Sequence, residues 1–257
     1  MKKRRFFSFA LLALLALLCL APFVYVLLRG ARNDAGAWTT QNYYKVFLAE
    51  PGYLIRFWKS LGIAGSITLG QLIVSILAGF GFAKYKFPGK NVLYFLLMAL
   101  MLMPLQVTLV PNYIVLQKME LLNTYHALIL PAIFVPLGTF LLTQTFKAVP
   151  NEVLDAARLD GCSTLGILAK VAIPMNKGGV ACALLLSFLD GWNMVEQPMV
   201  FLEKFRDYPI SVALATVSPG TFGVQLACCA LVMIPPILLF LVFDRELVEG
   251  ITLGEMK

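Results

Sequence analysis

Residues 149–174, VPNEVLDAARLDGCSTLGILAKVAIP, form a polar island in a chain that is otherwise mostly apolar. Pro150 suits a first helical turn, where its missing N–H would be unpaired in any case. Glu152 and Asp155 place negative charge near the positive end of that helix. Val153, Ala156 and Ala157 fall at i, i+3 and i+4 and make one small-residue stripe. Gly161 can adopt a positive φ and stop the helix. Ser163 can cap a second short helix, and Pro174 bars its continuation. The stretch therefore predicts helix, tight turn, helix, with charges on one side and alanines on the other. Spacing alone leaves two readings open: a solvated connection between membrane spans, or an element with a task of its own.

The surrounding composition is that of a membrane protein. Of 257 residues, 60% are hydrophobic and 14% charged, whereas soluble domains carry about 25% charge. The net charge of +7 does not point to nucleic acid, because the basic residues stand at the ends of apolar runs, as membrane orientation requires. The five cysteines, Cys19, Cys162, Cys182, Cys228 and Cys229, have no metal or redox spacing. The single histidine, His126, opens an apolar run and reads as structural. The nearest phosphate-loop candidate, Gly89-Lys90-Asn91, lacks both the upstream glycine and a following Ser or Thr. If ATP drives this protein, another chain binds it.

Taken in order, Lys2, Lys3, Arg4 and Arg5 precede the uncharged residues 6–28. That run is too long for a signal-peptide core and no small-residue cleavage site follows, so it is read as a first span entering from the cytoplasm. Residues 29–59 form an external loop with Trp38, Tyr43, Tyr44 and Trp58. Residues 61–83 form a second span, in which Gln71 and Ser75 share a face that looks into the bundle. A third span, 92–113, is bent by Pro104 and Pro111, with Gln106, Thr108 and Asn112 in the bent part. The fourth covers 126–146, the fifth 178–201 and the sixth 222–243, the last set off by Ser218-Pro219-Gly220 because residues 208–243 are too long for one crossing. Internal segments then hold 13 of the 21 Lys and Arg residues, which places both termini and the island at 149–174 in the cytoplasm. The expected organisation is an N-terminal transmembrane helix and external loop, 1–59, followed by a five-helix core, 60–257.

The fifth span carries Asp190, Trp192, Asn193, Glu196 and Gln197. Ionisable groups at membrane depth are costly and normally face a wet cavity or a partner charge. Two readings stand: these residues line a cavity or gate, or the span ends near Asp190 and they lie at the interface. Hydrogen-bonding groups beside an aromatic face are what sugar recognition needs.

The run Asp155-Ala156-Ala157-Arg158-Leu159-Asp160-Gly161, nine further residues, then Val171-Ala172-Ile173-Pro174, resembles the cytoplasmic EAA loop of ATP-binding-cassette import permeases. The family pattern is Glu-Ala-Ala, two residues, Asp-Gly, nine residues, Ile-x-Leu-Pro. Asp155, Val171 and Ile173 depart from it conservatively. Leu121-Leu122-Asn123-Thr124-Tyr125, and Phe188-Leu189 followed by Trp192-Asn193, are similar to the carbohydrate branch, of the maltose-type second-permease kind.

The resemblance implies an all-α membrane protein of the type I importer permease fold, with six transmembrane helices and a cytoplasmic coupling-helix loop. It implies a prokaryotic inner-membrane subunit that is not itself an enzyme and holds no cofactor. ATP and Mg would be bound by two partner ATPase subunits. A second, different permease subunit would complete the pore among membrane lipid, and an extracytoplasmic solute-binding protein would deliver a carbohydrate. Glu152, Asp155, Ala156, Ala157, Arg158, Asp160 and Gly161 are implied to couple to the ATPase. Importers of a polyol phosphate, peptide or amino acid are the alternatives, with a secondary transporter subunit behind them.

Overall fold

The computed structural model describes residues 2–33, 36–46, 51–215 and 222–255. The helices in order are α1 (Lys2–Gly30), α2 (Gln41–Tyr44), α3 (Pro51–Lys84), α4 (Lys90–Met101), α5 (Leu105–Lys118), α6 (His126–Ile133), α7 (Pro136–Lys147), α8 (Asn151–Leu159), α9 (Thr164–Ile167), α10 (Ile173–Met175), α11 (Lys177–Trp192), α12 (Glu196–Phe201), α13 (Ile210–Ala215), α14 (Phe222–Val232) and α15 (Ile234–Glu255). Among the described residues, four stretches are long and apolar enough to cross a membrane: Ser8–Gly30, Gly52–Lys84, His126–Lys147 and Phe222–Glu246. Two bent pairs, Lys90–Met101 with Leu105–Lys118 and Thr164–Met175 with Lys177–Trp192, raise the number to six if each is one span. The expected split at Ser218-Pro219-Gly220 lies outside the described residues.

α3 is the axis of the bundle, held between α7 and α11. Small residues let the backbones meet: a Cβ on Gly79 would lie 2.9 Å from Leu142 Cβ and 3.1 Å from its carbonyl carbon, and one on Gly191 would lie 3.2 Å from Ala64 Cα. Such approaches replace the missing hydrophobic drive between helices in lipid with close packing. Gln71 and Ser75 are both buried on this face, beside Gly138 of α7. By contrast, the leucines of α1 are exposed along the helix. Its end is tied down where Asn42 Nδ2 donates to the Gly30 and Arg32 carbonyls, each at 2.9 Å.

Three expectations change. α3 begins at Pro51 rather than near Leu61, so the boundary expected between residues 59 and 60 falls inside it. Its charged first turns are accommodated by the 202–209 segment: Lys59 pairs with Asp207 at 3.2 Å, and the Arg56 guanidinium lies 4.7 Å from the Phe205 ring centre. The third span is broken rather than bent, with α4 and α5 meeting at 104°; Pro104, extended at φ −65° and ψ 143°, stands at the break. The fifth span stops at Trp192 and restarts as α12. Pro198 has no N–H for the Met194 carbonyl, and Ser211 Oγ donates to that carbonyl at 2.6 Å instead.

Candidate functional site

The island at 149–174 is a folded helical corner. Leu154 of α8 is 2% exposed and sits in a cluster with Phe80, Leu142, Phe146, Ile167 and Leu168. Ala157, three residues on and so on the same face, packs against that cluster. The outward face carries Glu152, Asp155, Ala156 and Asp160, together with Val153 and Leu159, the latter 91% exposed. The small-residue stripe is therefore divided: Ala157 turns to the core, and Val153 and Ala156 turn out. Asp155 Oδ1 and Arg158 Nη1 pair at 2.7 Å across one turn, both well exposed, an arrangement worth about 0–1 kcal/mol.

Gly161 ends α8 with φ +79°. Its N–H donates to Arg158 O and that of Cys162 to Ala157 O, both at 3.0 Å. This nested pair satisfies the last carbonyls of the helix and needs a left-handed residue at Gly161. Ser163 then caps α9, its Oγ accepting from Gly166 N at 3.2 Å. The second helix runs from Thr164 to Met175 and so stops one residue after Pro174. A π-helical turn, Leu168–Ala172, precedes Pro174, and the Ile173 N–H still donates within it to Leu168 O; Pro174, without an N–H, falls in the last turn. The chain turns through 88° before α11, at a corner fixed by Asn176 Nδ2 donating to Thr145 Oγ1 at 2.9 Å.

A second region is a cavity of about 690 Å³ bordered by α3, α5, α6, α11 and α12. Asp190, Asn193, Glu196 and Gln197 all line it, with Gln71, Thr108 and Asn112. Asp190 is in the last turn of α11, and Glu196 opens α12. The Glu196 carboxylate accepts from Gln106 Nε2 at 3.1 and 3.2 Å, bridging α5 to α12. Among the described residues, no Lys, Arg or His borders the cavity. Trp192 is corrected: it does not line the cavity and is 2% exposed. Its indole N–H donates to Val232 O at 3.2 Å, and its ring stacks on Phe188 with centroids 5.6 Å apart. An aromatic two residues from Asp190 on a helix points some 200° away from it, and so into the core.

Sequence reasoning did not single out Leu154 or Leu159. Both stand out as the large apolar residues of a nine-residue helix otherwise polar or small, one for each face. Gln106 was placed in the bent part of a span, but its partner ninety residues on has no local signal.

An apolar helical bundle with broken spans around a polar cavity, and a two-helix corner outside it, is the architecture of a membrane transport component. The chain belongs to the family described as binding-protein-dependent transport system inner membrane component, whose profile matches residues 71–251. It is 31% identical over 227 residues to the arabinooligosaccharides transport system permease protein AraQ of Halalkalibacterium halodurans, covering 87% of this chain and 81% of that one. It is 30% identical over 209 residues to the sn-glycerol-3-phosphate transport system permease protein UgpE of Shigella flexneri, covering 77% and 74%. A chain in the crystal structure of a bacterial ABC transporter involved in the import of the acidic polysaccharide alginate superimposes with a TM-score of 0.83 at 20% identity, covering 95% of this chain and 98% of that one. The all-α importer-permease fold and the family resemblance carried by residues 155–174 are both borne out.

Proposed function

We propose that the chain is one of two transmembrane subunits of an ATP-driven importer that takes a neutral carbohydrate from an extracytoplasmic binding protein into the cytoplasm by alternating access. Both termini and the 149–174 corner face the cytoplasm. The outward face of α8 docks on a partner ATPase, which binds the ATP and Mg; this chain holds no cofactor. Ala156 permits close approach there, while Glu152, Asp155, Arg158 and Asp160 meet charges on the partner and Gly161 keeps the corner rigid. ATP binding changes transport only if it favours one conformation over the other, and a rigid corner transmits that bias.

One observation supports the sugar reading above the others. Among the described residues, the cavity lining offers amides, a hydroxyl and two carboxylates, and no cation. That donor and acceptor set suits a polyhydroxylated neutral solute. A phosphate or uronate would meet two like charges and no counter-ion, which favours an arabinooligosaccharide-type substrate over a glycerol phosphate or an acidic polysaccharide. Asp190, Asn193, Glu196 and Gln197 shape that path, and Trp192 supports it from behind. The test is ATP-dependent uptake by the complete importer in proteoliposomes, with arabinotriose, sn-glycerol 3-phosphate and an oligoalginate as probes. Uptake of the neutral sugar alone is expected; uptake of either anion at a comparable rate refutes the substrate class.

A further inference from the structure

The corner at 149–174 is not attached to the bundle only through its own two ends. α3 finishes at Lys84, and Lys84 and Tyr85 both reach across to it. Lys84 Nζ donates to the Val149 carbonyl and, at 3.0 Å, to Asn151 Oδ1. The Tyr85 hydroxyl donates to Thr164 Oγ1 at 3.4 Å, and the Arg158 guanidinium carbon lies 6.0 Å from the Tyr85 ring centre. Phe80, one turn earlier in α3, meets Tyr85 edge-on at 5.9 Å and Phe146 at 5.7 Å. Two adjacent side chains thus hold the entry to α8, the last turn of α8 and the start of α9.

The electrostatics suit the arrangement. An ammonium at the exit of α7 meets the negative end of that helix. α8 has no side-chain cap of its own, because Pro150 occupies the capping position. Lys84 instead fixes the backbone on one side of Pro150 and the Asn151 side chain on the other. α3 then runs back to Gln71, which lines the cavity, a distance of about 20 Å along the helix axis at 1.5 Å per residue.

We propose that Lys84 and Tyr85 are positioning residues for energy coupling, delivering displacement of the corner to α3 and through it to the cavity wall. This rests on the docking of α8 proposed above. Phe80 and Gly79 already pack α3 against α7 and the corner. Lys84 and Tyr85 add directed hydrogen bonds from the end of α3 to both sides of the corner, so that its displacement is passed on without slippage.

The test uses the complete importer, comparing wild type, Lys84→Met, Lys84→Arg, Tyr85→Leu and Tyr85→Phe. Three quantities are read: ATPase subunit recovered with the membrane complex, ATP hydrolysis, and probe uptake per ATP hydrolysed. Lys84→Met is expected to keep the ATPase subunit and hydrolysis within about twofold and to lose about tenfold in uptake per ATP, in line with a lost charged hydrogen bond. Lys84→Arg restores most of it, since a cationic donor returns; Tyr85→Leu falls further than Tyr85→Phe. If Lys84→Met does not assemble, Lys84→Ala, which also removes the donor, carries the comparison. Unchanged uptake per ATP in Lys84→Met or Lys84→Ala overturns the proposal, as does a Lys84→Arg variant no better than the variant without a donor. Loss of the ATPase subunit from the variant alone makes Lys84 a builder of the docking surface and overturns the positioning role. Failure of the wild-type chain to retain an ATPase subunit overturns the docking reading itself.

Discussion

Substituting Gly161 separates backbone geometry from packing. Its φ is +79°, and a Cβ there would meet nothing within 4 Å. Any cost of a side chain is therefore the cost of the left-handed conformation, about 1–2 kcal/mol for an ordinary L-residue. Replacing glycine also stiffens the unfolded chain, which returns about 0.4–1 kcal/mol to global stability. Gly161→Ala and Gly161→Leu should thus lower the melting temperature little in detergent. The same net cost falls on the corner, where an unwound turn frees residue 161 in the same way, but there it bears wholly on one local equilibrium. It shifts the balance between the nested hydrogen-bonded turn and an unwound one by up to about tenfold, since 1.4 kcal/mol is a factor of ten. The assay is uptake per ATP in the reconstituted importer beside a thermal melt. The expected result is a coupling loss out of proportion to the melt, with Gly161→Asn intermediate because Asn tolerates this region. Full transport with unchanged ATPase stimulation in Gly161→Leu would refute the reasoning.

The other predictions concern the core and the cavity. Leu154→Ala removes the buried anchor of α8 and should cost about 2–5 kcal/mol, read as a melting shift and as proteolytic exposure of the corner. Trp192→Phe keeps most of the ring stack but deprives the Val232 carbonyl of its donor, so a loss of about 1–3 kcal/mol is expected, with substrate preference unchanged; a changed preference would return Trp192 to the pathway. The double variant Asp190→Asn, Glu196→Gln should raise uptake of an anionic probe relative to a neutral one. Charges about 6–8 Å apart at an effective dielectric near 20 repel by roughly 2–3 kcal/mol each, and an unaltered ratio counts against the charge-based reading.

Where a feature depends on neighbours in sequence, the chain announces it. Gly161 and Ser163 stop and restart the corner as their residue types require, and the four-residue spacing of Gln71 and Ser75 places both against α7. Features set by distant partners stay hidden. Arg56 and Lys59 look like the end of a loop until Phe205 and Asp207 are seen to accommodate them, which is why α3 starts at Pro51. Trp192 and Glu196 read alike as pathway candidates, yet one packs on Phe188 and the other borders the cavity and accepts from Gln106 of α5. Pro174 reads as a stop because its ring bars a regular helix, and the helix does stop at Met175, whereas the π turn just before it has no signature in the neighbouring side chains.

The close approach of Gly79 to Leu142 has a mechanical meaning when set beside the bond from Lys84 to Val149. A beam bolted at one point can swing; bolted at a second point about 7.5 Å further along its length, it cannot. α3 and α7 are bolted twice, and Asn176 bolts the foot of α11 to α7 through Thr145. These three helices and the corner are thereby tied into one framework. α4 joins it where Gln144 Nε2 donates to the Tyr94 hydroxyl at 2.7 Å, whereas α5, beyond the 104° break, is bonded through Gln106 to Glu196 of α12. The cavity accordingly has one wall that belongs to that framework and another that α5 and α12 build between them.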